Sequence, residues 1–247
     1  MTIAEIAGLA FVLFNFGLII IFLFTSRDRQ SRPLREIPAF TKLRRTLGEA
    51  VETGKRIHLS LGRGNITGLE SAVGFAGLNV LARIGQATST SDRPPVATSG
   101  SGSLAILSQD TLASVSRDMH TEFEPYSGQV SGLTPFSYAA GTLAFIHDEE
   151  VGANVLIGNF GSEVALITEA AERSGSPSLA GTDNLLGQAV LYAVANETLI
   201  GEETFAGGAY LEAGAAHTAS LRAQDLLRWG LITIILLGAL LKLAGML

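Results

Sequence analysis

Between residues 56 and 201 one pattern recurs five times: a short apolar run, a glycine-bearing turn, then a segment of helical period. RIHLSLG (56–62) precedes SAVGFAGLNVLARIGQAT (71–88), PPVATSG (94–100) precedes SLAILSQDTLASVSRDM (103–119), and GQVSGLT (128–134), the weakest of the strands, precedes PFSYAAGTLAFIHDEE (135–150). ANVLIGN (153–159) and SPSLAGT (176–182) lead into SEVALITEAAERSG (162–175) and DNLLGQAVLYAVANETLIG (183–201). Strands separated by ten or more helical residues cannot pair as hairpins. Each helix instead returns the chain to the end of the sheet where the last strand began, so the strands run parallel. The runs are apolar on both faces, as in a sheet covered by helices on both sides. The expected fold is a Rossmann-like three-layer α/β domain with a mostly parallel sheet. The units lack a constant period, which excludes a solenoid.

The chain is also more apolar than such a domain requires: 47% of its 247 residues are hydrophobic. The excess lies at the two ends. Residues 6–25 (IAGLAFVLFNFGLIIIFLFT) run without a charge, and about 20 such residues in a helix cover a hydrocarbon core of roughly 30 Å. Residues 229–247 (WGLITIILLGALLKLAGML) give a second segment, with Trp229 at one end and Lys242 near enough to the other to reach outward. In the first segment the positive charges follow the apolar run and no small-residue cleavage pattern is present, which favours an uncleaved anchor over a signal peptide. Arg27, Arg29, Arg32, Arg35, Lys42, Arg44 and Arg45 form that basic flank, and Arg222 and Arg228 precede the second segment. The positive-inside rule then predicts an inner-membrane protein with both termini outside and a cytoplasmic middle domain. The expected organisation is an anchor over 1–26, a basic juxtamembrane linker or helix over 27–55, the α/β domain over 56–215, a connecting helix over 216–228 and a second span over 229–247.

Charge is segregated. Ser26 to Arg56 carries nine basic and four acidic residues, whereas Ile57 to Leu221 carries five basic and seventeen acidic. The acidic domain would be repelled by nucleic acid, and the basic arm would favour anionic headgroups. There is no cysteine, which removes disulfides, thiolate metal sites and a cysteine nucleophile.

In a parallel sheet, ligands bind beyond the carboxyl ends of the strands, beside helix N-termini. Those ends carry Gly62-Arg63-Gly64-Asn65, then Ser99, Gly100, Gly102 and Ser103, then Gly132-Leu133-Thr134, then Gly158, Asn159, Gly161 and Ser162, and finally Gly181, Thr182 and Asp183. Small residues admit a ligand to the backbone, and the hydroxyls and amides can bond it; an anionic small molecule is the chemistry this rim would take. Equally, Ser103, Ser162 and Asp183 are suitable helix N-caps, Glu163 suits the positive end of its helix, and glycine serves the turns. Gly100-Ser101-Gly102-Ser103-Leu104-Ala105 fits G-x-G-x-x-A, a dinucleotide fingerprint, but follows the second strand; the acids available to it, Glu122 and Glu124, precede a weak third.

No G-x-x-x-x-G-K-[ST], H-E-x-x-H or G-x-S-x-G occurs, so no motif specifies a cofactor, a metal or a hydrolase. His147-Asp148-Glu149-Glu150 and His120 near Glu122 and Glu124 read as solvated helix ends, and His58 as a residue within an apolar strand.

Four blocks together resemble an uncharacterised family of prokaryotic membrane proteins, a domain of unknown function. They are ETGKRIHLSLGRGNITG (52–68), DRPPVATSGSGSLAILSQDTL (92–112), VLIGNFGSEVALITEAAERSG (155–175) and AGTDNLLGQAVLYAVANETLIGEETFAGGAYL (180–211). The resemblance covers most of residues 45–215. It implies membrane association and a Rossmann-like core between two membrane segments, and carries no activity, cofactor or catalytic residue.

The functional expectation is a non-enzymatic scaffold whose α/β domains associate into a homo-oligomer at the lipid bilayer. Anchors at both ends, uncharged small-residue stretches (GFAGLN, FAGGAYLEAGAAHTA) and the lack of a catalytic constellation motivate it. The alternative is a tethered sensor or enzyme that binds a nucleotide or other phosphorylated molecule at the glycine-rich strand ends.

Overall fold

The computed structural model describes residues 2–25, 34–68 and 70–245. They form two compact units, one spanning Glu36–Leu211 and the other made of the terminal segments Met1–Arg35 and Glu212–Leu247. Arg27, Arg29 and Arg32 of the basic flank lie outside the described residues.

The terminal unit consists of α1 (Ile3–Thr25) and α9 (Ala215–Leu243), which pack against each other. Both helices are long and apolar enough to cross a membrane, at 23 and 29 residues. α9 is continuous, so the stretch expected to connect domain and span is the first part of the same helix.

The larger unit opens with α2 (Pro38–Glu52), inside the stretch read as a linker or juxtamembrane helix. Pro38 stands in its first turn, where a missing N–H is tolerated. Its face of Ala39, Phe40, Leu43, Leu47 and Ala50 is buried, and Phe40 stacks on Tyr210 with ring centroids 5.1 Å apart. Of the basic flank, Lys42 pairs with Glu197 and Arg44 donates to the Tyr210 carbonyl, so both are tied into this unit.

Alternation follows as β1 (Arg56–Gly62), α3 (Ser71–Ala87), β2 (Val96–Ser99), α4 (Gly102–Met119), β3 (Gly128–Val130), α5 (Pro135–Asp148), β4 (Val151–Asn159), α6 (Val164–Arg173), β5 (Ser178–Gly181), α7 (Leu185–Val194) and β6 (Glu197–Leu199). A 3₁₀ turn at Gly201–Phe205 and the short α8 (Gly207–Tyr210) close the unit. The six strands lie in the order β3-β2-β1-β4-β5-β6, every neighbouring pair parallel. This is a Rossmann-like three-layer α/β fold.

The faces of β1 show how both sides are filled. Leu61 points to α3, where a Cβ at Gly77 would lie 2.5 Å from its side chain and from the Ile157 carbonyl oxygen. His58 and Ser60 point to α5: the His58 ring is 5.2 Å from that of Phe145, and Ser60 bonds the Tyr138 hydroxyl. On this second face Tyr138, Ile146, Leu156, Phe160, Val164, Ile167 and Leu191 make a continuous core.

One element departs from the expectation. Residues 183–201 read as a single helix, yet α7 ends at Val194, Ala195 turns extended, and residues 197–199 form β6. The Asn196 side chain accepts hydrogen bonds from the Ser178 N–H (2.8 Å) and hydroxyl (3.1 Å), which fixes β6 at the sheet edge. Pairing with β5 overrides the helical pattern there.

Candidate functional site at the carboxyl rim of the sheet

The topology gathers the five predicted turns at one end of the sheet, and strand order reverses between β1 and β4, where α/β proteins of this kind hold their ligands. Here that crevice is bridged by the chain itself. Gly62 and Asn159 are register partners, and the Arg63 N–H donates to the Asn159 carbonyl oxygen at 2.9 Å. Gly62 has φ +67°, and a Cβ on it would stand 2.2 Å from the Asn159 oxygen; one on Gly158 would stand 2.0 Å from that of Leu61. Glycine is required at both because two strand ends close on each other.

Above this closure the Arg63 guanidinium pairs with Glu163 at 3.1 Å. Glu163 is 4% exposed and also accepts the Gly161 N–H at 3.0 Å; a Cβ on Gly161 would stand 2.6 Å from its other carboxylate oxygen, so the carboxylate would have to shift to admit one. The stem of Arg63 fills the space over Gly100, whose Cβ would meet it at 2.5 Å. Gly64 is less tightly enclosed: a Cβ on it would stand 3.3 Å from the Glu70 carbonyl oxygen.

Many of the polar groups assigned to a ligand bond one another. The Gly100 N–H donates to the Gly62 carbonyl (2.8 Å) and the Ser131 N–H to that of Ser99 (3.0 Å). The Ser99 hydroxyl accepts the Ser101 N–H, and the Ser101 and Ser103 hydroxyls bond at 2.8 Å. Thr182 accepts from the Phe160 and Asn184 N–H groups, and Asn159 donates to Asp183 at 2.9 Å. Asn65 and Ser162 are exposed, and Gly102 has open space around it.

The caps fall elsewhere than expected. Ser101, Glu163 and Asn184 occupy the N-cap positions in place of Ser103, Ser162 and Asp183. Thr134 caps α5 through a reciprocal box with Ser137, and Pro135 follows it.

Glu122 and Glu124, the acids weighed for the G-x-G-x-x-A turn, lie in the loop before β3, at the other end of the sheet. Glu124 pairs with Arg56, the first residue of β1, at 3.2 Å. They cannot meet the ribose of a dinucleotide seated at Gly100 and Gly102.

His58, Tyr138, Thr98 and Asn154 form a buried polar thread between sheet and α5. The His58 Nδ1 lies 2.6 Å from the Asn154 amide oxygen and Nε2 lies 2.8 Å from the Thr98 hydroxyl. A neutral ring satisfies both, with Nδ1–H donating and Nε2 accepting. Burial lowers the His58 pKa to about 4, against a smaller opposing effect of the Asn154 bond. The Tyr138 hydroxyl bonds Ser60 and accepts the Gly62 N–H at 3.2 Å, and burial raises its pKa. His147 bonds only its neighbour Asp148 in the exposed end of α5, and among the described residues no three His, Asp or Glu side chains converge to hold a metal.

Apolar exposure is what the rim does present. Ile106 in α4, Leu133 and Phe136 at the start of α5, and Leu185 and Leu186 at the start of α7 are each 59–83% exposed. Elsewhere in this unit, among the described residues, the large hydrophobic side chains exposed to the same degree are Tyr126 and Tyr192, which carry a hydroxyl; Ile200 and Phe75 follow at 51% and 47%. Sequence reasoning weighed the glycines and hydroxyls of these turns and passed over the Leu, Ile and Phe between them. It also passed over the pairing of Arg63 with Glu163, although an arginine between two glycines at a strand end is a visible signal.

An all-parallel, doubly covered sheet with an apolar rim, in a chain bearing two helices long enough to cross a membrane, defines a class of α/β proteins rather than an activity. The chain belongs to the family described as a domain of unknown function, DUF6754, whose profile matches residues 1–247. No curated protein and no solved structure matches it.

Proposed function

We propose that this protein is a membrane-anchored assembly module whose copies associate through the apolar carboxyl rim of the α/β unit. α1 and α9 hold it in a cytoplasmic membrane, and the basic residues after α1 keep the α/β unit on the cytoplasmic side. The observation that carries the reading is the exposure of Ile106, Leu133, Phe136, Leu185 and Leu186 on one rim. Each such side chain, once covered, contributes about 1.5–3 kcal/mol. Exposed apolar side chains presented at one end of a fold are the raw material of an interaction site.

A second copy is the occupant that fits best. Few charged side chains interrupt these turns, so neither nucleic acid nor an anionic lipid surface finds a counterpart there. Anchoring confines copies to a plane and raises their effective concentration, so a modest apolar contact suffices. A phosphorylated ligand at the same rim has less support, because Arg63 is committed to Glu163 and several N–H donors are engaged.

The test is Phe136→Asp with Leu185→Asp in the full chain. Both side chains are exposed, so thermal stability stays within about 0.5 kcal/mol of the parent. Cysteine-free chemical cross-linking in membranes loses its oligomer bands in the variant; unchanged bands would refute the rim as the interface.

A further inference from the structure

The middle of α1 carries one strongly polar side chain. Asn15 lies about 15–18 Å of helix from Thr25 and from Ile3, so in a helix that crosses a bilayer it stands near mid-depth. We infer that its carboxamide bonds the Asn15 carboxamide of a second copy, joining two α1 helices in parallel inside the membrane. The inference rests on the anchored assembly proposed above and adds to the rim a second contact of a different kind.

The chain itself offers Asn15 nothing. Among the described residues its side chain has no hydrogen-bond partner. The Thr233 hydroxyl of α9 is turned to its own helix, where it bonds the Trp229 carbonyl oxygen at 2.8 Å. Hydrocarbon supplies neither donor nor acceptor, so an amide at this depth stays unbonded unless another helix completes it.

The helix face that bears Asn15 is open. α1 is partly covered at Leu18, Ile19, Phe22 and Leu23, in the half that packs on α9. Every residue from Thr2 to Phe14 is exposed, as is every residue of α9 from Arg228 to Leu237. Phe11 and Gly8 continue the Asn15 face one and two turns toward the N-terminus. A Cβ at Gly8 would meet nothing in the chain, and Ala4 stands one turn before it, so this face admits a second helix closely.

A second copy is the occupant that the chemistry favours, because a carboxamide is complementary to itself: its NH₂ donates and its oxygen accepts. Copies inserted with one orientation are related by an axis along the bilayer normal, so each residue of α1 meets its own counterpart at the same depth. Asn15 then faces Asn15, and two reciprocal hydrogen bonds close the pair. A helix of another protein would need a polar group at that one depth. Such a pair shifts association by only about three- to tenfold, so Asn15 selects which faces of α1 meet while the rim supplies most of the affinity.

The chain has no cysteine, so single introduced cysteines report helix contacts directly. Phe11→Cys, on the Asn15 face, and Leu13→Cys, on the opposite face, are oxidised in native membranes with copper phenanthroline. Phe11→Cys gives a disulfide-linked dimer; Leu13→Cys, equally exposed, does not. Adding Asn15→Leu, which keeps the span apolar and inserted, lowers the Phe11→Cys dimer at least about threefold, and Asn15→Gln in its place restores it. The chemically cross-linked oligomer bands persist in Asn15→Leu, because the rim holds them. Four results would overturn the inference and leave the rim reading standing: oligomer bands without a Phe11→Cys dimer, an equal dimer from Leu13→Cys, a dimer indifferent to Asn15→Leu, or a disulfide to a different protein in its place. Absence of the bands in the parent chain would refute the assembly, and this contact with it.

Discussion

His58 couples the buried sheet centre to pH. Its folded-state pKa of about 4 lies below the ordinary 6.5, so the unfolded chain takes up the proton first as pH falls. The stability that depends on a neutral His58 is complete above pH 6.5 and is lost progressively as pH falls to 4. By pH 4.5 the loss is about 2–3 kcal/mol. Thermal unfolding of the full chain at pH 7 and pH 4.5 should show this slope, and His58→Phe should flatten it; an equal slope in the variant would assign the effect to other groups. The glycines separate just as sharply. Gly158→Ala forces a Cβ into the Leu61 carbonyl and should cost more than about 3 kcal/mol, whereas Gly102→Ala meets open space and stays within about 1 kcal/mol of the parent. Melting temperatures of the two variants check the contrast. These positions were legible in the sequence as turn glycines, but their reason was not. What Gly62 and Gly158 accommodate is each other's strand, a contact between residues about a hundred positions apart.

At the scale of elements, the Arg63–Glu163 pair joins the turns after β1 and β4 where a ligand crevice would otherwise lie. Arg63→Met strands a carboxylate that is 4% exposed, with only the Gly161 N–H to bond it. Because Arg63 is partly solvated, the cost is about 2 kcal/mol rather than that of a fully buried pair. Adding Glu163→Gln, which removes the charge and keeps the acceptor, should recover most of it; a double variant no more stable than Arg63→Met would show that the pair stabilises nothing. The alternation of strand and helix was readable because each strand is apolar on both faces and each helix has its own period. β6 was not, since Asn196 to Leu199 carries too little pattern to outweigh the helical run before it. Only β5 beside it, through Ser178 and Asn196, makes it a strand. The caps slipped by one or two positions because Ser, Asn and Asp crowd these turns, and several of them could serve.

For the whole molecule, the two terminal apolar helices and the parallel sheet were both legible, since length and hydropathy suffice for the one and alternation for the other. The apolar rim was not, because Leu133, Phe136, Leu185 and Leu186 sit in sequence among residues that read as ordinary helix starts. Only the parallel arrangement of all six strands puts them at one end. Assembly through the rim is the central claim, and the mass of the particle tests it most directly. Full-length protein extracted from native membranes and weighed by single-particle mass photometry or light scattering at micromolar concentration should be an oligomer of defined stoichiometry that Phe136→Asp and Leu185→Asp reduce to the 25.9 kDa chain. A parent protein that runs as that single chain under the same conditions would contradict the account.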